Sequence, residues 1–273
     1  MMEFNIHTFI LGTVQGLCEF LPVSSSGHLA LLQRFFGFGQ EGQEGLLAFD
    51  LLLHCATVLA VLLFFWRDIA TLFGQWLWGC VSPAGRESEG WRCGWAILMA
   101  CVLTALIGLP LKGVVEHMMA SPLAVGCGLL VTAGLLALVP LIPERSQALS
   151  WKAALIVGIA QGLAVLPGVS RSGATIASGL LMGLAVSDAF RFSFLISVPA
   201  ILGASLLEGL KLYRGGTAPL PEGCLLAVGA AFVLGWLALK LMRRLVLSGR
   251  WAYFGLYCLL LGCVAILSSL DIF

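Results

Sequence analysis

Long apolar stretches, separated by short polar connections, follow one another along most of the chain. Six of them have the ~20 residues that a helix needs to cross a bilayer. They lie at residues 46–65, 94–111, 122–141, 189–208, 222–241 and 251–270. The pattern therefore predicts an all-α integral membrane protein with six transmembrane helices.

Two further apolar regions, 6–38 and 151–186, are each interrupted by a polar turn. The turns are Pro-Val-Ser-Ser-Ser-Gly-His at 22–28 and Pro-Gly-Val-Ser-Arg-Ser-Gly-Ala-Thr at 167–175. Each half of these regions is too short to span, and polar backbone at membrane depth needs protein or water around it. We expect two re-entrant helical hairpins. Segment 69–81 is also short, and its tryptophans predict a helix at the membrane interface.

The two turns align without a gap at an offset of 146 residues, and 9 of the 18 positions from 10 to 27 recur. The chain is therefore interpreted as a single membrane domain, 1–273, built by duplication. The first repeat covers 1–141 and the second 142–273. Broken helices at corresponding places in two repeats predict a site at the bilayer midplane.

Basic residues are distributed unevenly between the two sides of the predicted spans. Ten lie in one set of loops: Arg67, Arg86, Arg92, Arg145, Lys152, Arg191, Lys240, Arg243, Arg244 and Arg250. Four lie in the other set: Arg34, Lys112, Lys211 and Arg214. The positive-inside rule assigns the first set to the cytoplasm. The first hairpin then enters from outside and the second from inside, which is an inverted-topology repeat whose tips meet within the membrane.

Composition supports a membrane protein and excludes other classes. The chain is 60% hydrophobic and 11% charged, with a mean hydropathy of +1.01 and a net charge of +1. No soluble domain of 273 residues hides so much apolar surface, and the charge does not suggest nucleic acid binding. Residues 1–21 lack a basic segment and a cleavage site, so we expect them to belong to the fold. The nine scattered cysteines are interpreted as apolar packing residues.

The second turn has the chemistry of a phosphate clamp. Arg171 lies among the hydroxyls of Ser170, Ser172 and Thr175, and Gly173 lets backbone N–H groups approach a ligand closely. A guanidinium inside a bilayer is costly and needs a partner, and it suits phosphate. The alternative is a structural ion pair between Arg171 and Glu19.

The first turn offers reactive groups instead. Ser24, Ser25, Ser26 and Gly27 precede His28, and Glu19 lies four residues after Gln15 on one helical face. Ser24, Ser26 and Gly27 are expected to contribute to phosphate binding. His28 suits general acid–base or nucleophilic work. Glu19 suits a divalent cation or a base, the alternative being an interhelical hydrogen bond. Ser25 is singled out because it is the counterpart of Arg171, although serines also routinely bond between helices.

Three further polar residues lie in apolar segments. Asp50 and His54 are four residues apart on the first span. They either line a polar path to the site or, for Asp50, mark the outer interface. Gln161 is expected to support the second hairpin by bonding freed backbone groups.

At these residues the chain resembles the undecaprenyl-pyrophosphate phosphatases, also called bacitracin-resistance proteins. Segments 15–28 and 167–175 resemble the family's two signatures, and 192–201 resembles a further family segment. The resemblance implies hydrolysis of undecaprenyl pyrophosphate to the monophosphate, which recycles the lipid carrier for cell-wall synthesis and confers bacitracin resistance. It also implies the bacterial plasma membrane, a site open to the periplasmic side, and a divalent cation, Mg²⁺ or Ca²⁺. The family often has Glu where this chain has Gln15, which leaves Glu19 as the acidic ligand.

The working hypothesis makes Ser25 the nucleophile and His28 the proton carrier, with Arg171, Ser170, Ser172 and Thr175 holding the phosphate. The alternative makes His28 the nucleophile and Ser25 a phosphate ligand. A rival hypothesis is a transporter or flippase for an anion or a lipid phosphate. The sequence leaves the oligomeric state open, a homodimer included.

Overall fold

The structure is a computed structural model that describes residues 5–37, 43–215 and 219–270. These residues form twelve α-helices and two short 3₁₀ turns, without a strand among them. The helices are α1 (Ile6–Phe20), α2 (Ser25–Phe35), α3 (Gln43–Phe64), α4 (Trp66–Val81), α5 (Glu89–Gly108), α6 (Lys112–Met119), α7 (Pro122–Leu138), α8 (Trp151–Leu163), α9 (Arg171–Leu181), α10 (Val186–Gly215), α11 (Cys224–Leu247) and α12 (Ala252–Ser269). The predicted all-α class is confirmed for these residues.

Six of the described helical segments are long and apolar enough to cross a membrane. They are Gly45–Phe64, Glu89–Gly108, Pro122–Leu141, Val186–Arg214, Cys224–Leu247 and Ala252–Ser269. Each coincides with one of the six predicted spans. The chain is therefore a multi-pass membrane protein.

The helices α10 and α11 extend beyond the predicted spans. The span predicted at 222–241 belongs to a helix that continues to Leu247, through Lys240, Arg243 and Arg244. Lysine and arginine are good helix formers, so the helix continues after its apolar stretch has ended. Hydropathy therefore gives the length of the apolar part of a helix, whereas the residue at which the helix ends depends on capping.

Both predicted breaks are found as turns between two helices. The first turn separates α1 from α2, and the second separates α8 from α9. In each case a serine caps the following helix, because the Ser24 and Ser170 hydroxyls accept from the N–H groups of Gly27 and Gly173. The predicted end of the first hairpin at residue 38 lies outside the described residues.

The segment predicted to lie at the membrane interface belongs to α4, a helix of 16 residues packed against α5. Trp66, Phe73 and Trp78 keep 49–58% of their surface exposed on it. An exposed aromatic face suits a lipid interface, and the interfacial position stays a prediction.

The first helix of each hairpin packs closely against a span from the other half of the chain. In α1, a Cβ added at Gly12 would lie 2.3 Å from the Ala227 carbonyl oxygen of α11. In α8, a Cβ at Gly158 would lie 2.7 Å from the Cα of Ala100 in α5. Glycine and alanine let membrane helices approach to backbone contact. These contacts fix both hairpins against the spans.

An aromatic cluster anchors the end of α1, where the first turn begins. Phe20 is fully buried, and its ring centroid lies 5.7 Å from that of Phe194 in α10. Phe65 and Phe190 extend the same cluster. The cluster therefore holds the residue next to Glu19 in a fixed position.

Candidate active site

The two turns meet at the carboxylate of Glu19. One oxygen, Oε1, forms an ion pair with the Arg171 guanidinium, and the other, Oε2, accepts a 2.6 Å hydrogen bond from the Ser25 hydroxyl. Ser25 is the first residue of α2 and Arg171 the first residue of α9. The Glu19 side chain therefore connects two other predicted site residues, Ser25 and Arg171.

Glu19 lies in a buried, polar environment. Its side chain is 4% exposed and that of Arg171 is 19% exposed. The Gln15 amide donates to Glu19 Oε2 at 3.1 Å, and His54 Nε2 lies 4.0 Å from the same oxygen. A buried carboxylate needs such an opposite charge and hydrogen bonds to compensate for lost hydration. The ion-pair alternative considered for Arg171 is thus present in this structure.

Arg171 has bonding capacity beyond this ion pair. Its Nη1 atom is buried and has no hydrogen-bond partner among the described residues. An unsatisfied buried donor is costly, and a guanidinium fork matches two oxygens of a phosphate. Nη1 therefore keeps unused hydrogen-bonding capacity beside the ion pair with Glu19.

The second turn is rigidly attached to α7. Thr132 donates to the Gly168 carbonyl oxygen at 2.8 Å and accepts from the Ser170 N–H at 2.9 Å. Gly168 has a φ of +86°, and a Cβ there would lie 2.2 Å from the Val125 carbonyl oxygen. Only glycine fits this close approach. The contacts fix the backbone immediately before Arg171.

The hydroxyls of the second turn are used inside the protein. Ser172 donates to the Leu21 carbonyl oxygen of the first turn at 3.3 Å. Thr175 donates to the Arg171 carbonyl oxygen at 2.7 Å and lies 2.5 Å from the Ser193 hydroxyl in α10. The Ser170 hydroxyl caps α9. In this state the three side chains position Arg171, and their predicted contact with phosphate stays a prediction.

The first turn contains an unusual backbone conformation. Ser24 has φ 68° and ψ 95°, the one positive φ at a non-glycine residue in the described part of the chain. Side chains disfavour this region by roughly 1–3 kcal/mol. Its hydroxyl caps Gly27 and lies 3.3 Å from that of Ser26. The turn directs the neighbouring Ser25 hydroxyl to Glu19.

The expected hydrogen bond between His28 and Ser25 is not found. The His28 ring nitrogen Nδ1 lies 2.7 Å from the Ser24 carbonyl oxygen, and Nε2 lies 2.7 Å from the Tyr257 hydroxyl. The Tyr257 ring stacks on the imidazole, at a centroid distance of 5.6 Å. Both ring nitrogens are thus engaged elsewhere, because His28 points towards α12. Glu19 takes the place next to Ser25 that was expected for the imidazole.

The supporting residues form a polar path that leads to Glu19. Gln33 donates to both oxygens of Asp50, at 2.9 and 3.1 Å, and His54 Nδ1 lies 2.8 Å from the Asp50 carbonyl oxygen. His54 then reaches Glu19 at 4.0 Å. Of the two hypotheses for Asp50, this arrangement favours the polar path.

Gln161 has a different partner from the one expected. Its amide donates to the Thr104 hydroxyl of α5 at 3.0 Å rather than to freed backbone groups. It therefore ties α8 to α5.

A divalent cation would find few protein ligands here. The described residues contain no group of three or more His, Cys, Asp or Glu side chains arranged to hold a metal. Among the described side chains, Glu19 is the one carboxylate in contact with Ser25 and Arg171. Mg²⁺ is commonly bound by one or two carboxylates together with substrate phosphates. The residues fit a cation that shares its coordination with a phosphate, and they do not fit a site built from protein ligands alone.

Three contact residues were not predicted from the sequence. Tyr257 contacts His28, Thr132 contacts the second turn, and Ser193 contacts Thr175. Each is a polar side chain inside an apolar helix, and that was the available signal. It does not identify the partner, since the partners are 18 to 229 residues away in sequence.

Comparison with known proteins identifies the family of the chain. The family model for "Bacitracin resistance protein BacA" matches residues 8–264. An undecaprenyl-diphosphatase of Desulfosudis oleivorans is 44% identical, covering 96% of this chain and 97% of that protein. The enzyme of the same name from Bacteroides fragilis is 42% identical, and the match covers 95% of this chain and 96% of that protein. The one from Methanosphaera stadtmanae is 37% identical, and the match covers 97% of this chain and 98% of that protein. The chain belongs to the bacitracin resistance protein BacA family.

Proposed function

We propose that this protein hydrolyses undecaprenyl pyrophosphate to undecaprenyl phosphate and inorganic phosphate. The reaction recycles the lipid carrier of cell-wall synthesis and confers resistance to bacitracin. Relatives named undecaprenyl-diphosphatase that match over almost the full chain support this function. The observation that carries it is the Glu19 carboxylate, which joins Ser25 to an arginine whose buried Nη1 donor has no hydrogen-bond partner in the part of the chain that the structure describes.

Arg171 binds the terminal phosphate in this proposal. Its free Nη1 donates to one phosphate oxygen, and the helix N-termini that begin at Ser25 and Arg171 add their N–H groups. The charge that develops on the phosphoryl oxygens in the transition state is stabilised by the same donors. A fixed second turn suits this task, because Thr132 holds its backbone in place before the substrate arrives.

Ser25 is the nucleophile, and Glu19 receives its proton. The Ser25 hydroxyl already donates to Glu19 at 2.6 Å, which is the geometry a general base requires. The bond between Oγ and phosphorus forms, the bond to the bridging oxygen breaks, and undecaprenyl phosphate leaves. Water then attacks the phosphorus of the phosphoserine, the Oγ–phosphorus bond breaks, and inorganic phosphate leaves. The proton held by Glu19 returns to Oγ and restores the hydroxyl. Glu19 thus replaces His28 as the expected base.

His28 positions the turn in this mechanism. Its contacts with the Ser24 carbonyl oxygen and Tyr257 hold the strained residue that precedes Ser25. The alternative, with His28 as nucleophile, requires Nε2 to leave Tyr257. The arrangement in the resting protein therefore favours Ser25.

We also propose a divalent cation, Mg²⁺ or Ca²⁺, held by Glu19 together with oxygens of the pyrophosphate. When bound, such a cation neutralises phosphate charge and polarises the scissile bond. Gln15, whose amide already contacts Glu19, orients that carboxylate.

The architecture proposed for this function is an inverted repeat of 1–141 and 142–273 with two re-entrant hairpins. The helix contacts support it. Helix α1 of the first repeat packs on α11 of the second, and the corresponding helix α8 of the second repeat packs on α5 of the first. Helix α7 packs on α12, its counterpart at the end of the second repeat. Each hairpin thus docks on the other repeat. The uneven distribution of basic residues supports the proposed orientation, in which the site opens to the periplasmic side of the plasma membrane.

Phosphate release by the purified protein in detergent tests the proposal. No gradient exists in detergent, so a transporter or flippase would release no phosphate from a C55 pyrophosphate. We expect steady release by the natural protein, a fall on addition of chelator, and release on the order of a thousandfold slower by Arg171→Ala. Absence of release from the natural protein, folded and supplied with Mg²⁺ or Ca²⁺, would contradict the proposal.

A further inference from the structure

A cavity that is separate from the two turns lies where four helices begin or end. Its volume is about 490 Å³. Its walls come from the end of α3, the start of α4, the start of α10 and the end of α11. No residue of segments 22–28 or 167–175 lines it. We call it the basic pocket, after Arg67, Lys240 and Arg243.

The basic pocket contains cations without carboxylate partners. Arg67, Lys240 and Arg243 form no ion pair within 4.0 Å in the described ranges, although they line one cavity. Arg191, by contrast, is neutralised by Asp68 at 2.8 Å and Glu89 at 2.6 Å. The exposed Asp188 also lines the cavity. Four basic and two acidic lining residues leave a formal charge of +2.

Aromatic and apolar side chains form the rest of the wall. The Lys240 ammonium lies 3.3 Å from the centroid of the Trp236 ring, and Arg67 lies 5.5 Å from that of Trp66. Phe65 and Phe190 form a buried apolar floor. Cations beside an apolar floor match an amphiphile whose head is anionic.

The position of the pocket matches the headgroup level of a bilayer. Two candidate spans, Gly45–Phe64 and Cys224–Leu247, end at this side, and Val186–Arg214 begins there. Tryptophan is enriched at this depth. Basic pockets between transmembrane helices bind anionic lipid headgroups.

We propose that the basic pocket binds the phosphate headgroup of an anionic phospholipid from the surrounding bilayer. Arg67, Lys240 and Arg243 contact the phosphate, and the first part of the acyl chains lies against the apolar wall. This inference does not depend on the proposed function, because the pocket shares no residue with the Glu19 site.

Titration of short-chain phosphatidylglycerol into the detergent-solubilised protein tests the inference. The variant is the triple change Arg67→Gln, Lys240→Gln and Arg243→Gln. The matched control is Arg244→Gln, which removes an exposed cation from the next position of α11 outside the pocket. Each basic residue near an anionic lipid surface contributes about fivefold to binding, so the triple variant should bind on the order of a hundredfold more weakly. Arg244→Gln should bind like the natural protein.

Three further arms identify the ligand. Phosphatidylcholine should bind much more weakly than phosphatidylglycerol, high salt should weaken the phosphatidylglycerol affinity, and inorganic phosphate should not compete at equal concentration. The double variant Arg67→Gln/Arg243→Gln, which keeps Lys240 on Trp236, should give an intermediate affinity if the triple variant does not fold. Equal affinity in the natural and double-variant proteins would overturn the inference, as would effective competition by inorganic phosphate.

Discussion

The two Ser/Gly turns share a capping serine and differ in how their backbones are held. In the second turn, the left-handed conformation falls on Gly168, and Thr132 donates to the Gly168 carbonyl oxygen and accepts from the Ser170 N–H. In the first turn it falls on Ser24, where a side chain makes it costly. Strain of this kind persists when surrounding contacts impose it. The backbone of the second turn is therefore held by Thr132, whereas the first turn depends on polar contacts around Glu19 and His28.

The same contrast extends to corresponding side chains. Ser25 and Arg171 are counterparts, and both contact Glu19, whose own counterpart is Val165. Gln15 contacts Glu19, but its counterpart Gln161 contacts Thr104 in a structural position. In the proposed mechanism, corresponding positions of the two turns thus carry the nucleophile and the clamp.

Removing the proposed nucleophile should have the largest effect. Ser25→Ala is expected to lower kcat on the order of 10⁴-fold or more, because it removes the group that forms the bond to phosphorus. Steady-state phosphate release from a C55 pyrophosphate measures it. Ser26→Ala, which removes a similar hydroxyl from the next position, should lose on the order of tenfold. Comparable losses in both variants would mean that Ser25 is one phosphate ligand among several.

Removing the Arg171 guanidinium should have the second-largest effect on activity. Arg171→Ala is expected to lower kcat/KM on the order of a thousandfold through the loss of charge-assisted contacts to phosphate. Arg171→Lys should recover little, because lysine lacks the planar fork. Size-exclusion profiles check that both variants fold. Near-normal turnover in either one would remove Arg171 from the clamp.

A smaller loss is expected when the carboxylate is neutralised. Glu19→Gln should lower kcat about 10²–10³-fold, since it removes the group that takes the Ser25 proton. It should also raise the free cation concentration needed for half-maximal rate. The reciprocal variant Gln15→Glu should lower that concentration. An unchanged midpoint and maximal rate in Glu19→Gln would exclude Glu19 from both roles.

Removing the Tyr257 hydroxyl that supports the first turn should have the smallest effect on kcat. Tyr257→Phe removes the hydroxyl on His28 Nε2 and is expected to lower kcat several-fold, with little change in KM, because a hydrogen bond contributes about 1 kcal/mol. Tyr253→Phe changes an exposed tyrosine of the same helix and serves as the control. His28→Ala should lose more than Tyr257→Phe and less than Ser25→Ala. Equal activity of the two tyrosine variants would separate Tyr257 from the site.

The fold and the site differ in how far the sequence predicts them. Hydrophobic length located all six spans, because burial in lipid depends on composition alone. The serine and glycine motifs located both turns, since capping is a local property. The direction of His28 was not predictable, because Tyr257 approaches it from a helix 229 residues away. Thr132 was missed for the same reason, since tertiary contacts decide which polar groups meet.

Trapping the phosphorylated enzyme tests the division between the turns most directly. Radiolabelled undecaprenyl pyrophosphate is mixed with the purified protein, quenched rapidly without acid, and the labelled residue is located by mass spectrometry. The account predicts a phosphoserine at Ser25, which is absent in Ser25→Ala and retained in His28→Ala. A phosphohistidine at His28, or full turnover by Ser25→Ala, would contradict it.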